Sequence, residues 1–234
     1  MVRKGNLLNL LYFDTTQDWI HVAVGNLDGD SNLDLKAKQI EATPKEASFR
    51  LVEMIQVALN QGHLKKPDLI IVPNGPGSFT GIRITVTTAR DLAQLWEIPV
   101  VGIDSGELYA VGMESKQKNQ LLPTETTLVC LDGKQGKYYT KYFDGTTFLE
   151  TKDQTPSEMI QFLEKEQITP NNWYYTGIFP SFYPNSAVKI EATNLNLSSI
   201  MQYSLEQIKQ TNLKNYDYLS LLPNYIRGTY VDQK

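Results

Sequence analysis

Short apolar stretches separated by polar turns make up the first part of the chain. They predict three strands, at about residues 7–13, 19–26 and 33–42. The two intervening turns read DTTQ and LDGDSN, and residues of this kind favour tight reversal of the chain. The pattern therefore indicates an antiparallel meander of three strands.

The next segment carries the signals that begin and end a helix. Thr43 stands at the N-cap position, Pro44 at the first helical position, and Glu46 where it completes a capping box. Gly62 follows the last residue of the apolar periodicity, as glycine often does beyond the end of a helix. We therefore predict a helix over about residues 44–60.

A strand, a glycine-rich loop and a second helix follow. The run PDLIIVP, residues 67–73, is almost wholly apolar, which is typical of a strand in the middle of a sheet. The loop GPGSFTG leads into a helix predicted over about residues 80–96, with Ser78 or Thr80 as its N-cap. The next two segments are predicted as a strand and a short helix, at 99–104 and 105–113.

The second half of the chain repeats this order of elements. A polar stretch at residues 116–125 separates the halves, and we expect two lobes, residues 1–112 and 113–234. The elements predicted beyond the stretch are strands at 126–132, 137–143, 147–153, 172–178 and 187–192, and helices at 156–166 and 197–210.

The two halves also resemble each other locally. When FDTTQDWIHVAV is aligned with LDGKQGKYYTKY, Asp14 falls on Asp132 and Gln17 on Gln135. The tetrapeptide TPKE ahead of the first helix recurs as TPSE ahead of its counterpart. Two matches in the same order indicate a duplicated unit. We predict an α/β fold of duplicated βββαβα lobes facing each other across a cleft. This is the ribonuclease H-like architecture of actin, hexokinase and Hsp70, with the last helix able to pack back on the N-terminal lobe.

Composition and charge exclude several classes of protein. The formal net charge of −4 argues against a chain that binds nucleic acid alone, because phosphate contacts need clustered Lys and Arg. A single cysteine, Cys130 in the apolar run TTLVCLD, favours a reducing compartment and a buried strand position. The N-terminal apolar stretch contains Asn6 and Asn9 and has no small-residue cleavage site, unlike a signal peptide. We expect a cytoplasmic protein that does not enter a membrane.

No metal site is expected from the sequence. The two histidines, His21 and His63, are far apart, and neither has a second histidine at helical spacing. The acidic turn at residues 28–34 resembles the start of a calcium loop. However, Leu33 stands where the loop needs glycine, and Gln39 where it needs a bidentate glutamate.

The loop GPGSFTGIR does not match the common phosphate-binding motifs. Ile82 and Arg83 follow Gly81, where a P-loop requires Lys and then Ser or Thr. The glycine spacing also differs from the dinucleotide fingerprint, and the loop does not follow the first strand. From the residues alone, a loop that only sets the angle between strand and helix and a loop that binds a ligand remain equally open.

The same loop carries a family resemblance. GPGSFTGIR, with the Thr- and Ala-rich helix and IPVVGID that follow, closely resembles the signature of the TsaB family, formerly YeaZ. FDTT and LDGKQGKYY resemble further family motifs, and LPNYIRG, with Pro223, Tyr225 and Arg227, resembles the family's C-terminal motif. The residues of the family-motif loop are Gly75, Pro76, Gly77, Ser78, Phe79, Thr80, Gly81 and Arg83.

Two departures from the family pattern affect the expected chemistry. The family's His-Ser pair ahead of the first helix is replaced here by residues 41–44, which read EATP. The family's Gly-x-Gly-Ala turn, which lies under the adenosine in related kinases, reads Thr176-Gly177-Ile178-Phe179. Because a glycine of that turn is lost, we expect no cofactor.

The resemblance implies a role in assembly. It suggests a non-catalytic scaffold subunit of the machinery that makes N6-threonylcarbamoyladenosine in tRNA. Such a subunit pairs with the catalytic paralogue TsaD, while the ATPase TsaE joins the complex and tRNA is met only through it. For the isolated chain a homodimer stays open. The expected interface on the first two helices comprises Leu51, Ile55, Ala58, Ile82, Val86, Ala89, Arg90 and Ala93, unless these form the protein's own core.

An enzyme of the same superfamily is the alternative. A small-molecule kinase would use Asp14 and Asp132 as paired cleft carboxylates, with Thr15 and Thr16 beside them in a cleft that is otherwise vestigial. A peptidase is not supported, since no metal dyad and no Ser-His or Cys-His pairing is evident.

Overall fold

A computed structural model describes residues 7–28, 32–42, 46–114, 122–209 and 216–226. The first half contains five strands and three helices among these residues. In chain order they are β1 (Leu8–Asp14), β2 (Trp19–Leu27), β3 (Leu33–Ala42), α1 (Ala47–Gln61), β4 (Leu69–Gly75), α2 (Phe79–Trp96), β5 (Val100–Asp104) and α3 (Ser105–Glu114).

The second half follows the same plan with one helix fewer in its described part. Its elements are β6 (Thr127–Asp132), β7 (Tyr138–Phe143), β8 (Lys152–Gln154), α4 (Pro156–Lys165), β9 (Asn172–Tyr175), β10 (Val188–Lys189) and α5 (Leu197–Lys209). Where the first half has α2, residues 176–187 form turns without a helix.

The two sheets have the same strand order. The first runs β3-β2-β1-β4-β5 and the second β8-β7-β6-β9-β10. In each, the first three strands pair antiparallel, and the fourth and fifth join parallel to the first. The predicted duplication and fold class are confirmed, since this arrangement is that of the actin and hexokinase superfamily.

Alternation along the central strands separates three apolar cores. Leu11 and Phe13 of β1 face α1 and α2, whereas Leu10 and Tyr12 face a core shared with α3 and α5. In β6, Val129 and Leu131 face that shared core, and Leu128 and Cys130 face a third core with Met159 of α4. Because successive strand residues point to opposite faces, the layers are α1–α2, first sheet, α3–α5, second sheet and α4.

The start of α1 differs from the prediction. The helix begins at Ala47, and Glu46 occupies the N-cap position without a side-chain hydrogen bond to the helix. The predicted cap Thr43 and Pro44 lie outside the described residues. Since β3 pairs with β2 up to Ala42, the chain must leave the sheet before a helix can begin.

The capping box of α4 is confirmed. Thr155 Oγ1 accepts from the Glu158 N–H at 3.3 Å, and the Glu158 carboxylate accepts from the Thr155 N–H at 2.7 Å. The tetrapeptides TPKE and TPSE therefore differ in their relation to the helix that follows. Glu46 is the N-cap of α1, whereas Glu158 is the third residue of α4.

The outer strands of the second sheet are shorter than predicted. The strand predicted at 147–153 is limited to Lys152–Gln154. Thr146 and Thr147 instead donate their N–H groups to Asp144 Oδ1 at 2.7 Å, and Phe148 forms an isolated bridge with Phe143. Likewise, β10 covers only Val188–Lys189. Both are edge strands, which have a partner on one side only, and short edge strands are common.

No helix among the described residues is both long and apolar enough to cross a membrane.

Candidate functional site

The glycine loop lies between two backbone segments of the same protein. A Cβ on Gly77 would come within 2.4 Å of Thr16 O, and one on Gly75 within 2.5 Å of Asn224 O. On either side, the Ser78 N–H donates to Thr16 O at 2.7 Å and the Asn224 N–H to Asn74 O at 2.7 Å. The glycines are needed here because other parts of the chain approach the loop at van der Waals distance or closer.

Contacts of Thr15 join the start of α2, just after this loop, to the turn between β1 and β2. Thr15 Oγ1 donates to Gly81 O at 2.8 Å, and the Thr15 N–H donates to Thr85 Oγ1 at 3.0 Å. A Cβ on Gly81 would lie 1.9 Å from Thr15 O. Ser78 caps α2, accepting from the Gly81 N–H at 3.4 Å. The FDTT and GPGSFTG motifs are therefore two sides of one packed joint. This geometry favours the interpretation in which the GPGSFTG loop sets the angle between β4 and α2 over the one in which it binds a ligand.

Asp14 is a structural carboxylate. It is fully buried, and its Oδ1 accepts from the Thr16 N–H at 2.7 Å and the Thr16 hydroxyl at 2.8 Å. Its Oδ2 accepts from Trp19 Nε1 at 3.0 Å and from Tyr109 OH at 2.7 Å. Burial, followed by the charge of Asp14, raises the pKa of the Tyr109 phenol, which keeps this donor protonated.

Asp132 occupies the equivalent position in the second lobe but has different surroundings. Its Oδ1 accepts from the Lys134 N–H at 2.8 Å, and its Oδ2 accepts from Lys134 Nζ at 2.7 Å. Gly177 packs directly on it, with the position of a Cβ only 2.5 Å from Asp132 Oδ2. The predicted equivalence of Asp14 and Asp132 holds in the fold. However, Asp132 lines the cavity between the lobes and Asp14, Thr15 and Thr16 do not, so the predicted pair of cleft carboxylates is wrong.

The cavity between the lobes has a volume of about 1010 Å³. Aromatic rings contribute to its walls, and their residues are Trp19, Phe79, Tyr139 and Tyr225. Among the wall residues that the structure describes, the charged ones are Asp18, Asp132, Lys134, Lys189 and Glu191. These three acidic and two basic side chains give no excess of positive charge for a polyphosphate. Within the described ranges, no three His, Cys, Asp or Glu residues come together as a set of metal ligands.

Two aromatic rings that line this cavity, those of Phe79 and Tyr225, form a group with a cationic side chain. The Phe79 and Tyr225 rings lie 5.1 Å apart, and the Arg83 guanidinium lies 5.4 Å from the centre of the Phe79 ring. The predicted motif residues Phe79, Arg83 and Tyr225 therefore come together, although Tyr225 is far from the other two in sequence. Arg227 of the same C-terminal motif lies outside the described residues.

Neither Cys130 nor His21 is placed for nucleophilic chemistry. Cys130 is fully buried, and burial raises the pKa of its thiol to about 12. His21 is fully buried as well, and burial lowers the pKa of its imidazole despite the nearby Asp14. Its Nε2 lies 2.7 Å from Ala192 O, which joins β2 to the second lobe.

The predicted interface residues on α1 and α2 belong almost entirely to the protein's own core. Seven of the eight have exposed fractions of 4% or less, and they are Leu51, Ile55, Ala58, Ile82, Val86, Ala89 and Ala93. They pack under the two helices against the first sheet. Arg90 alone is partly exposed. This assignment is corrected: a partner cannot reach these seven side chains, because they already cover β1, β2 and β4.

The outer sides of the same helices expose other apolar residues. Phe49, Val52 and Val57 of α1 are 78%, 56% and 37% exposed, and Leu95 of α2 is 73% exposed. We call these four side chains the outer helix face. The two helices lie side by side over one core, so their outer sides belong to one surface of the protein.

Comparison with known proteins identifies the family. Residues 41–180 match the family model described as "TsaD: tRNA N6-adenosine threonylcarbamoyltransferase". The chain is 30% identical over 173 residues to the tRNA threonylcarbamoyladenosine biosynthesis protein TsaB of Buchnera aphidicola subsp. Schizaphis graminum, covering 72% of this chain and 77% of that protein. The chain belongs to the TsaB family. The resemblance inferred from GPGSFTGIR is thereby confirmed.

Two further comparisons agree with this result. The TsaB protein of Escherichia coli (strain K12) is 29% identical over 134 residues, which are 56% of this chain and 53% of that protein. The solved structure of YeaZ from Pseudomonas aeruginosa superposes with a TM-score of 0.69, covering 93% of this chain and 99% of that one. At 18% identity, the second similarity supports the fold.

Sequence reasoning within the TsaB pattern missed one wall of the cavity. The segment that contains Lys189, Ile190 and Glu191 lines it, yet this segment begins at the end of a two-residue edge strand and carries no motif. The outer helix face was missed for another reason. The apolar residues of α1 extend around most of the helix, so the sequence pattern does not define the boundary between its buried and its exposed side.

Proposed function

We propose that this chain is a non-catalytic scaffold subunit for the synthesis of N6-threonylcarbamoyladenosine in tRNA. In this proposal it binds a TsaD-type threonylcarbamoyltransferase through the outer helix face, and it meets a TsaE-type ATPase and tRNA only within the assembled complex. The outer helix face is the observation that carries the proposal. Three of its four side chains, those of Phe49, Val52 and Leu95, are more than half exposed. Apolar side chains exposed to this extent on adjacent helices are typical of a surface that a partner covers.

Similarity to the TsaD family model supports a TsaD-type partner. The family model that matches residues 41–180 is described as a TsaD transferase, so a partner of this type is expected to carry an equivalent helix pair. Helices from the two proteins would then pack side against side, burying Phe49 and Val52 at the contact. In the absence of that partner, the same surface supports pairing of two copies of this chain.

The geometry of the cleft supports assembly over catalysis. A kinase of this superfamily would need two carboxylates facing the cavity, whereas all four hydrogen bonds to Asp14 come from the protein itself. Asp132 does face the cavity, but its carboxylate is engaged by Lys134. A catalytic carboxylate has to be free to contact its substrate.

Complex formation with a TsaD-type protein from the same organism tests the proposal. Size-exclusion chromatography with light scattering should show a one-to-one complex for the wild-type chain. Val52→Asp should weaken it by about 2 kcal/mol or more, roughly 30-fold, because an apolar contact is lost and a charge is placed against the partner. Phe49→Asp should act similarly, and an aspartate in the first turn of α1 is compatible with the helix dipole.

A matched control uses an equally exposed apolar residue on the other lobe. Ile178 is 74% exposed, and Ile178→Asp should leave complex formation unchanged. Wild-type affinity in both α1 variants would refute the proposed surface. Absence of any complex with folded wild-type protein would refute the proposed partner.

A further inference from the structure

A group of charged side chains around the buried Lys141 joins the two lobes. Lys141 of β7 is only 6% exposed, and its Nζ lies 2.8 Å from Glu107 Oε1 of α3. The same ammonium lies 3.7 Å from Oδ2 of Asp104, at the end of β5. One cation from the second lobe is thus held by two carboxylates from the first.

Further hydrogen bonds fix both carboxylates. Thr151 Oγ1, from the second lobe, donates to Asp104 Oδ2 at 2.6 Å. Tyr203 OH of α5 donates to Glu107 Oε2 at 2.9 Å. The Gly106 N–H donates to Asp104 Oδ1 at 2.8 Å, so the carboxylate also caps α3. Four elements of the chain therefore meet at this charged group.

The backbone is adapted to bring the two lobes this close. A Cβ on Gly106 would lie 2.5 Å from Lys141 Cβ, so a larger residue at the start of α3 would push the strand away. Lys141 also shares a face of β7 with Tyr139, since residues two apart in a strand point the same way. Tyr139 lines the cavity between the lobes, so the ion group lies one step along the strand from the cavity wall.

Stability alone is a poor explanation for such a group. Removing charged groups from water costs several kcal/mol per ion. Well-packed apolar side chains in the same place often give a protein of equal or greater stability. The shared core next to it, which includes Leu108 and Ile200, already holds α3 against α5. Apolar packing has no strong directional preference, whereas a lysine held by two fixed carboxylates specifies a particular distance and angle.

We propose that Lys141 is an interlobe pin that sets the angle between the lobes and the width of the cavity without any bound ligand. In a two-lobed fold of this kind, the pin takes the place of a ligand that would close the cleft. A chain whose lobes are held in this way presents one fixed shape, as a rigid assembly subunit requires. The inference rests on the contacts of Lys141 and does not depend on the proposed function.

Distance measurements between spin labels across the cavity test the pin. Thr80 and Glu191 are exposed residues on opposite sides of it, and both can be replaced by cysteine for labelling. The native Cys130 is fully buried and does not compete for the label. The labelled chain with Lys141 intact should give one narrow distance distribution. Lys141→Met should broaden it and shift its mean.

The control removes a lysine that pairs within a single lobe. Lys137 lies 3.4 Å from Asp153, and both residues belong to the second lobe. Lys137→Met should therefore leave the distribution narrow. Equal broadening in both variants would contradict the proposal, because the effect would then not be specific to the contact between lobes.

A double variant keeps the test valid if Lys141→Met fails to fold. Loss of the cation leaves Asp104 and Glu107 as two neighbouring, largely buried carboxylates without their cation, which is destabilising. Lys141→Met/Glu107→Met removes a charge of each sign and retains similar volume, while Asp104 keeps its hydrogen bonds from Thr151 Oγ1 and the Gly106 N–H. The expected result is a folded protein with a broadened distribution. A folded double variant with the narrow distribution and the unchanged mean of the parent would refute the pin.

Discussion

Replacement of Gly81 by alanine should destabilise the protein, contrary to the usual effect. Gly81 is the third residue of α2, and alanine in a helix is ordinarily more stable than glycine by about 1 kcal/mol. In this structure the added Cβ would lie 1.9 Å from Thr15 O, 2.9 Å from Thr15 C and 3.2 Å from Thr16 Cα. All three are backbone atoms, so no side-chain rotation relieves the clash.

The magnitude follows from the contacts that must be given up. Moving the β1–β2 turn away from α2 breaks the bond from Thr15 Oγ1 to Gly81 O, that from the Thr15 N–H to Thr85 Oγ1 and that from the Ser78 N–H to Thr16 O. Loss of three hydrogen bonds costs about 1 kcal/mol each in free energy of unfolding. This loss exceeds the gain from the helix propensity of alanine by about 2 kcal/mol. Buried donors left without partners would add to this loss.

Urea unfolding followed by circular dichroism measures this change. Gly136→Ala is the control, because Gly136 has a φ of +75° and nothing within 4 Å of the added Cβ. Only backbone strain of about 1 kcal/mol is expected there. If Gly81→Ala were as stable as the wild type or more stable, the packed joint between the turn and the loop would be refuted.

Three further outcomes follow from buried groups. Ala89→Glu places a charge in the core under α2, so circular dichroism should show loss of folded monomer, and a folded variant would contradict the burial. Burial raises the pKa of Asp104 against the lowering effect of Lys141, so its contribution to stability falls as the pH rises from about 4 through its raised pKa. In urea unfolding at several pH values, the stability of Asp104→Asn relative to the wild type should improve over that range, and a constant difference would contradict the shift. The Cys130 thiol should react with a thiol reagent only on unfolding, and rapid reaction of native protein would contradict its burial.

Much of the fold is encoded in short periodic patterns of the sequence. The alternation in β1 and β6 places successive side chains in different cores, and the capping box at Thr155 begins α4 as predicted. Edge strands such as β8 are less predictable, because they are decided by partners elsewhere in the chain and their own patterns are short. The start of α1 illustrates the same limit, since pairing of β3 up to Ala42 determines where the helix can begin.

The functional site shows a different limit of sequence reasoning. Periodicity along α1 and α2 indicates that one side of each helix is buried, but it does not say whether the same protein or a partner covers it. Leu51 and Ala89 were therefore assigned to a partner, although the first sheet covers them. Similarly, the alignment of Asp14 with Asp132 identified equivalent positions in the two lobes. It did not show that four hydrogen-bond donors of the protein surround the buried carboxylate of Asp14.

The most direct test of the scaffold role is reconstituted tRNA modification with a TsaD-type transferase and a TsaE-type ATPase. The amount of N6-threonylcarbamoyladenosine in tRNA would be measured with wild-type chain, Val52→Asp and Asp132→Asn. The scaffold account predicts that Val52→Asp lowers modification in parallel with its loss of complex, while Asp132→Asn retains the wild-type level. Loss of modification with Asp132→Asn in an intact complex would contradict the account and assign the cavity carboxylate a chemical role.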